Sequence, residues 1–177
     1  RGASFKYFNE NENIFNNLNF VINRNQHTII TGPNGSGKST LLGLFSGIIY
    51  PSRGKVVSHT DKYSYVSATP MILNSTLKEN LIYGTKEKVE DENLNQLIKE
   101  FNLFNEEKKV SLSKEVSNKM LSTGQMQKIS FIRALLSGSE ILLLDESTSN
   151  LDFETKVQIF EILAKRELTI INATHNP

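Results

Sequence analysis

Short apolar runs and helix-like repeats alternate along the chain. Short runs rich in apolar and aromatic residues, bounded by Asn, Gly or Ser, predict strands. These predicted strands are 5–8, 19–22, 28–31, 55–57, 63–66, 141–144 and 168–172. Apolar residues at helical spacing predict helices over 38–49, 76–83, 87–104, 125–136 and 153–165. Strands separated by helices favour an α/β fold with a parallel or mixed sheet.

The distribution of these elements predicts a core with an insertion. We expect one domain over 1–177, because the length suits a single hydrophobic core. Its strands lie in about 1–70 and 131–177, whereas the stretch of about 71–130 is mostly helical. Within it, 108–120 is polar and weakly periodic, which predicts a loop with one short helical turn.

Composition excludes several classes of protein. The chain is 38% hydrophobic and 22% charged, which fits neither a disordered tail nor a membrane bundle. Twenty Lys and Arg against nineteen Asp and Glu give a net charge of +1, so charge does not indicate a nucleic-acid partner. The absence of cysteine excludes thiol catalysis, disulfides and cysteine-ligated zinc. The longest apolar stretches, such as 41–50, are too short to span a bilayer.

One glycine-rich segment matches a phosphate-binding pattern at every position. Gly32–Ser39 reads G-x-x-x-x-G-K-S, between a predicted strand and a predicted helix. Glycines let successive N–H groups point at phosphate oxygens, and the following helix presents its positive N-terminus. A chance glycine-rich turn is the alternative, and the strand–loop–helix context disfavours it. We therefore expect a nucleotide-phosphate site formed by Asn34, Gly35, Ser36, Gly37, Lys38, Ser39 and Thr40.

A second apolar strand ends in two carboxylates. The run 141–144 is followed by Asp145 and Glu146. Such a strand delivers acids to the edge of the sheet where Mg²⁺ lies beside the phosphates, so we expect Ser39 and Asp145 as metal ligands. Glu146 would face the γ-phosphate and orient the attacking water. The alternative is a core strand with a solvated acidic end, which the phosphate loop disfavours.

The order of the remaining motifs resembles the ATP-binding-cassette (ABC) ATPases. Leu121–Gln125, LSTGQ, is similar to the LSGGQ signature, with Thr123 in the place of the first Gly. Tyr7 resembles the aromatic that stacks on adenine, Ser149–Asp152 looks like the D-loop, and His175 sits at the place of the switch histidine. The resemblance implies a P-loop NTPase core, an N-terminal antiparallel β portion, an inserted helical subdomain, and ATP and Mg²⁺ as cofactors.

The signature also has a physical interpretation. Ser122 and Gln125 form an S-x-x-Q capping box, so the pentapeptide opens a helix whose N-terminus favours an anion. In the family that anion is the γ-phosphate of ATP held by a second nucleotide-binding domain. The resemblance thus implies a head-to-tail dimer in which Ser122, Gly124, Gln125 and Asp152 complete the partner's site.

Besides Thr123, three positions depart from the family pattern. Ala68 replaces the Gln of the Q-loop, a side chain that helps to coordinate Mg²⁺ or water and links the site to the membrane-spanning partner. Met126 stands where a basic residue is usual. Asn25 takes the place of a turn Gly, and Asn tolerates positive φ. We therefore expect hydrolysis, catalysed by Glu146, His175 and Lys38, at a rate lowered by Ala68.

The resemblance implies an ATPase domain of an exporter-like ABC transporter at the cytoplasmic face of a cell membrane. Its partners would be a second nucleotide-binding domain and a transmembrane domain, with no nucleic acid. The first alternative is an ATP-gated dimerisation module with negligible hydrolysis, and the second is a soluble ABC ATPase outside transport. Because the chain begins at Arg1 and family members continue past the switch histidine, we expect a domain truncated at both ends.

Overall fold

The computed structural model describes residues 1–104 and 110–175. Its strands are β1 (Ala3–Phe5), β2 (Phe15–Leu18), β3 (His27–Thr31), β4 (Tyr63–Ser67), β5 (Ser75–Thr76), β6 (Glu115–Val116), β7 (Ile141–Asp145) and β8 (Thr169–Thr174). Its helices are α1 (Lys38–Ser46), α2 (Leu77–Ile82), α3 (Asp91–Glu100), α4 (Thr123–Leu136) and α5 (Phe153–Ala164). Within these residues, no helix combines the length and hydrophobicity that crossing a bilayer requires.

A parallel sheet of four strands forms the centre of the fold. The strand order is β3-β8-β7-β4, and every neighbouring pair is parallel. The register places Asp145 opposite Ser67 on one side and Ala173 on the other. Because parallel strands end at the same edge, β3 and β7 deliver their following loops to one place. The predicted α/β core with a parallel sheet is confirmed.

Strand β7 is buried on both faces. Leu142 and Leu144 belong to a large hydrophobic cluster with residues of α2, α3, α4 and α5. Ile141 and Leu143 belong to a smaller cluster that includes Leu42 of α1. A strand that faces two packed layers reads as an unbroken apolar run, which is how the sequence predicts it.

Three helices begin at side-chain caps. Thr76 and Glu79 form a reciprocal capping box at the start of α2, which begins where the sequence predicts a helix over 76–83. Ser122 and Gln125 form a second box at α4, which confirms the predicted helix start in the signature. Asp152 caps α5 by accepting from the N–H of Thr155. Side-chain oxygens thus satisfy backbone N–H groups that lack helical partners.

The N-terminal antiparallel β portion is present, but its predicted bounds are wrong. Strands β1 and β2 pair antiparallel, earlier in the chain than 5–8 and 19–22. The chain leaves β1 after Phe5 and turns at Tyr7, whose carbonyl accepts from the N–H of Glu10. Phe8 is fully exposed. A cluster of aromatic residues therefore marks a turn here, which apolar patterning alone cannot distinguish from a strand.

The predicted strand 55–57 is also wrong. Ser4 and Arg53 form an isolated antiparallel bridge, and Arg1 and Lys55 exchange backbone hydrogen bonds of 2.8 and 3.1 Å. The pairing with the N-terminal segment reaches no further, and Val57 is 77% exposed. A β-prone sequence without a partner strand stays irregular.

Other boundaries shift for local reasons. Helix α1 ends before Gly47, which adopts the left-handed conformation typical of a C-cap, and not at 49. The predicted loop 108–120 contains β6, which pairs with β5, while its residues 108–109 lie outside the described part. Asn25 has a φ of 55°, as expected of its place in a turn. The division into core and inserted subdomain remains a prediction.

Candidate functional site

The loop between β3 and α1 has the backbone conformation that its glycines permit. Gly35 and Gly37 have φ of 80° and 91°, and Gly37 is the N-cap of α1. A Cβ added at Gly37 would lie 2.6 Å from Ile14 Cγ2 and 2.9 Å from the ring of Phe15. Only glycine fits a site with both positive φ and this close approach. The loop therefore curls tightly into α1.

Lys38 lies between this loop and the acidic end of β7. Its side chain is almost completely buried, and its ammonium donates to the carbonyls of Gly32 at 2.9 Å and Pro33 at 3.2 Å. The same nitrogen lies 3.5 Å from Glu146 Oε1. The structure thus brings together the predicted lysine of the loop and the second of the predicted carboxylates.

The two predicted metal ligands are in direct contact. Ser39 Oγ donates to Asp145 Oδ1 at 2.9 Å, across 106 residues of sequence. The other carboxylate oxygen, Oδ2, accepts from the hydroxyl of Tyr65 at 2.5 Å. Sequence reasoning missed Tyr65. Burial raises the pKa of this phenol, and its hydrogen bond to Asp145 and the charge of Asp145 raise it further, so the hydroxyl remains a donor.

Glu146 occupies a strained turn directly after β7. Its φ is 51°, which is unusual for a residue with a side chain, and its N–H donates to Ala173 O at 2.9 Å. Its Oε2 accepts from Ser149 Oγ at 2.7 Å and lies 2.8 Å from His175 Nδ1. Such a φ is common at functional sites, where the surrounding structure compensates for its cost.

Opposing influences act on the Glu146 carboxylate. Burial would raise its pKa, but hydrogen bonds from Ser149 and His175, together with the charges of His175 and Lys38, outweigh burial and lower it. Glu146 is therefore ionised at neutral pH and His175 Nδ1 carries the hydrogen between them. Its other oxygen, Oε1, is buried without a hydrogen-bond partner among the described residues.

Tyr7 lies against the start of α1. Its hydroxyl is 3.0 Å from Thr40 Oγ1, and its ring meets Phe5 edge to face with 5.0 Å between the ring centroids. The tyrosine is 47% exposed. A partly open aromatic ring therefore lies beside the first turn of the helix that follows the phosphate loop.

The polar side chains of the signature and the D-loop make short-range hydrogen bonds, unlike those around the phosphate loop. Ser122 N donates to Gln125 Oε1 at 2.9 Å, and Gln125 N donates to Ser122 Oγ at 3.2 Å. Asp152 accepts from the N–H and the hydroxyl of Thr155 at 2.8 and 2.9 Å. A Cβ at Gly124 would lie 4.0 Å from Leu151 Cδ2, so the two loops are neighbours. Their polar side chains serve their own helix starts.

The donor set fits a nucleotide with Mg²⁺. Within the described residues there is no group of three or more His, Cys, Asp or Glu side chains placed to hold a metal ion. Ser39 and Asp145 supply only oxygen, the donor atom that Mg²⁺ prefers, and Mg²⁺ usually completes its shell with phosphate oxygens and water. Glu146 Oε1, buried without a hydrogen-bond partner among the described residues, lies 3.5 Å from the ammonium of Lys38. The residues present therefore fit ATP with Mg²⁺.

The fold and this arrangement define the class of protein. A glycine loop between a parallel strand and a helix, facing acids at the end of a nearby strand, is the P-loop NTPase architecture. A family model described as "ABC transporter" matches residues 15–149, which is most of the chain. The chain belongs to the ABC transporter family.

Relatives extend well beyond the region they share with this chain. The multidrug resistance-like ATP-binding protein MdlA of Buchnera aphidicola subsp. Baizongia pistaciae is 36% identical over 97% of the chain, which spans 33% of that protein. The ATP-binding cassette transporter abc1 of Schizosaccharomyces pombe is 35% identical over 90% of the chain and 12% of its own length. The zinc import ATP-binding protein ZnuC of Wigglesworthia glossinidia brevipalpis is 34% identical over 86% of the chain and 63% of its own length.

Proposed function

We propose that the chain is the ATP-binding and ATP-hydrolysing domain of an exporter-like transporter. ATP hydrolysis is the general activity of the ABC family. The observation that carries the proposal is the junction of the phosphate loop with the end of β7. There Ser39 bonds Asp145 at 2.9 Å and Lys38 lies 3.5 Å from Glu146, which in turn contacts His175.

Binding would use the backbone of the loop and the start of α1. The N–H groups of this segment cradle the phosphates, and Lys38 supplies a charge to the β- and γ-phosphates. Tyr7, partly exposed and fixed by its bond to Thr40, offers its ring to adenine. The residues proposed to contact nucleotide in this way are Tyr7, Asn34, Gly35, Ser36, Gly37, Lys38, Ser39 and Thr40.

Ser39 and Asp145 would hold Mg²⁺. When bound, the ion neutralises charge on the β- and γ-phosphate oxygens. The existing contact between Ser39 Oγ and Asp145 Oδ1 supports this assignment, because it places two hard oxygen donors side by side at the mouth of the loop.

Glu146 would orient the attacking water and act as its base. Its lowered pKa keeps it ionised, and His175 and Ser149 both hold Oε2. Oε1 has no such partner and is the oxygen that would accept from water. Lys38, 3.5 Å from that oxygen, stabilises charge on the transferring phosphoryl group. His175 thus fixes the orientation of the base.

A second copy or a related domain would complete the site. We propose that Ser122, Gly124 and Gln125 bind the γ-phosphate in the partner's loop, with Asp152 nearby, in a head-to-tail dimer. The N-terminus of α4 supports this, since its capping box occupies the N–H groups of Ser122 and Gln125 and leaves those of Thr123 and Gly124 for an anion. The dimer would drive a transmembrane domain from the cytoplasmic face of a cell membrane, without nucleic acid.

One observation favours a second candidate function. Ala68, directly after β4, replaces a side chain that the family uses on Mg²⁺ or water. An ATP-gated dimerisation module with negligible turnover would need the nucleotide contacts and not this one. The two candidates share every binding residue and differ in the release of phosphate.

Phosphate release by wild type, compared with Glu146→Gln, separates the two candidates. Losing the ionised carboxylate is expected to abolish phosphate release and to trap an ATP-dependent dimer on a sizing column. Glu140→Gln is the matched control. It lies just before β7, at the opposite end of that strand, among Arg24, His59 and Lys62, and should release phosphate like wild type.

Wild-type protein that binds ATP and releases no phosphate would overturn the hydrolase and support the dimerisation module. Ala68→Gln then tests whether the loss of the Q-loop glutamine limits turnover. Faster turnover in that variant would show that alanine limits hydrolysis, whereas unchanged turnover and Mg²⁺ dependence would show that it does not.

A further inference from the structure

Tyr65 reaches the end of β7 from a neighbouring strand. In the parallel pair of β4 and β7, Tyr65 lies opposite Leu143, and Asp145 lies opposite Ser67. The phenol must therefore span two positions along the strand direction, about 6.6 Å. A tyrosine side chain is long enough for this distance, whereas serine or threonine at the same position is not. Its hydroxyl donates to Asp145 Oδ2 at 2.5 Å.

Two separate elements hold the Asp145 carboxylate. Ser39 Oγ, on α1, bonds Oδ1, and the Tyr65 hydroxyl, on β4, bonds Oδ2. A carboxylate with one bonded oxygen can still rotate about its last torsion, which is broad and weakly restrained. Bonds to both oxygens, from two different elements, fix the plane of the group. The orientation of Asp145 is therefore set by the protein itself.

Within the described residues, no other side chain of β4 hydrogen-bonds the Asp145 carboxylate. The hydroxyl of Ser67, opposite Asp145, donates to Thr69 O at 3.0 Å. Ala68 follows with a methyl group, which neither donates nor accepts. Within the described part of β4, the side-chain contact to the Asp145 carboxylate is therefore the hydroxyl of Tyr65.

We propose that Tyr65 is a positioning residue for the metal of the nucleotide complex. By holding Oδ2 it directs Oδ1 of Asp145 toward Ser39, where the ion would sit, so that metal affinity depends on the tyrosine hydroxyl. The inference rests on the proposed function and extends it to a residue to which the sequence assigns no role. Groups that hydrogen-bond a metal ligand from behind typically alter metal affinity by about tenfold to a hundredfold.

Tyr65→Phe removes the hydroxyl and keeps the ring. Free Mn²⁺ measured by electron paramagnetic resonance, with a non-hydrolysable ATP analogue present, reports metal affinity without turnover. We expect the variant to bind Mn²⁺ about tenfold more weakly, with unchanged analogue affinity in the absence of metal and unchanged melting temperature. Tyr63→Phe, on the same strand, is the matched control and should behave as wild type.

A double-mutant cycle with Asp145→Asn tests the route of the effect. Because the hydroxyl acts through Asp145, Tyr65→Phe should cause no further loss of Mn²⁺ affinity in that background. Equal Mn²⁺ affinity of wild type and Tyr65→Phe would overturn the inference, as would a full additional loss in the Asp145→Asn background. Wild-type protein that binds no nucleotide would instead overturn the proposed function, and this inference with it.

Discussion

Two regions carry the family motifs, and they differ in how far apart in sequence their hydrogen-bonded side chains lie. Around the phosphate loop, the side chains contact partners far away in sequence, such as Ser39 with Asp145 and His175 with Glu146. At the starts of α4 and α5, the polar side chains bond within three residues of themselves, as in the Ser122–Gln125 box. The first region is assembled by the fold, whereas the second is assembled locally.

This difference has a functional meaning under the proposed mechanism. A region whose side chains are connected by long-range contacts can bind its ligand within one chain. A helix start whose side chains satisfy only their own cap still offers backbone N–H groups outward, and needs a partner to receive them. Substitutions in the first region should therefore act on nucleotide affinity, and substitutions in the second on assembly and stability.

The largest effect is expected at Lys38. Lys38→Ala removes the charged donor from the loop and should weaken ATP binding by about tenfold to a hundredfold, since a hydrogen bond to a charged group contributes about 1.5–3 kcal/mol. Isothermal titration calorimetry on the monomer measures this. Lys62→Ala, at the opposite end of the sheet near Glu140, should bind as wild type. Equal affinity of both variants would contradict the first half of the comparison.

A smaller and different effect is expected at Ser122. Ser122→Ala removes the N-cap of α4 and should lower the free energy of unfolding by about 1 kcal/mol. It should leave ATP affinity of the monomer unchanged and reduce the ATP-dependent dimer of the Glu146→Gln background. Denaturant unfolding and sizing chromatography measure the two effects.

Thr76→Ala is the matched control for that variant. It removes the same kind of capping box from α2, outside the signature. It should show the stability loss without the loss of dimer. If both variants reduce the dimer equally, then the cap matters only through stability, and the signature has no separate role.

The smallest effect is expected from pH at the start of α5. Hydrogen bonds from the N–H and hydroxyl of Thr155 lower the pKa of Asp152, against a smaller opposing effect of burial. A carboxyl with a lowered folded pKa stabilises above its unfolded pKa, and this stability disappears as pH falls through the folded value. The melting temperature of Asp152→Asn should therefore fall less than that of wild type when the pH is lowered from about 7 to about 3.

Asp152→Ser separates charge from capping in that experiment. Serine caps a helix without a titrating group, so it should show the same reduced pH dependence as Asn. A profile like that of wild type in both variants would show that Asp152 does not contribute to the acid sensitivity.

Local chemistry explains what the sequence can predict. The phosphate loop, the capping boxes at Thr76 and Ser122, and the apolar run of β7 all follow from neighbouring residues, and the structure contains each of them. Lys38, Asp145 and Glu146 were predicted separately from two motifs. The parallel sheet brings those motifs together, as the strand–helix alternation predicts.

The features that the sequence could not predict depend on long-range strand pairing. Tyr65 acts through the register of β4 against β7, which no short stretch of sequence encodes. The irregular 55–57 and the two-residue β6 depend on whether another strand lies alongside. The contact of Tyr65 with Asp145 follows only from this register. Tyr65 lies on β4 two positions before the residue opposite Asp145, and its side chain is long enough to span that distance.

The burial of β7 on both faces also restricts motion. Leu142 and Leu144 pack into one hydrophobic layer and Ile141 and Leu143 into the other, so the strand cannot shift without disturbing both. The acids at its end inherit this rigidity, because the N–H of Glu146 itself donates to Ala173 O on the neighbouring strand. Under the proposed function, opening and closing of the complete site therefore moves the partner domain, while the acidic end of β7 stays fixed within this chain.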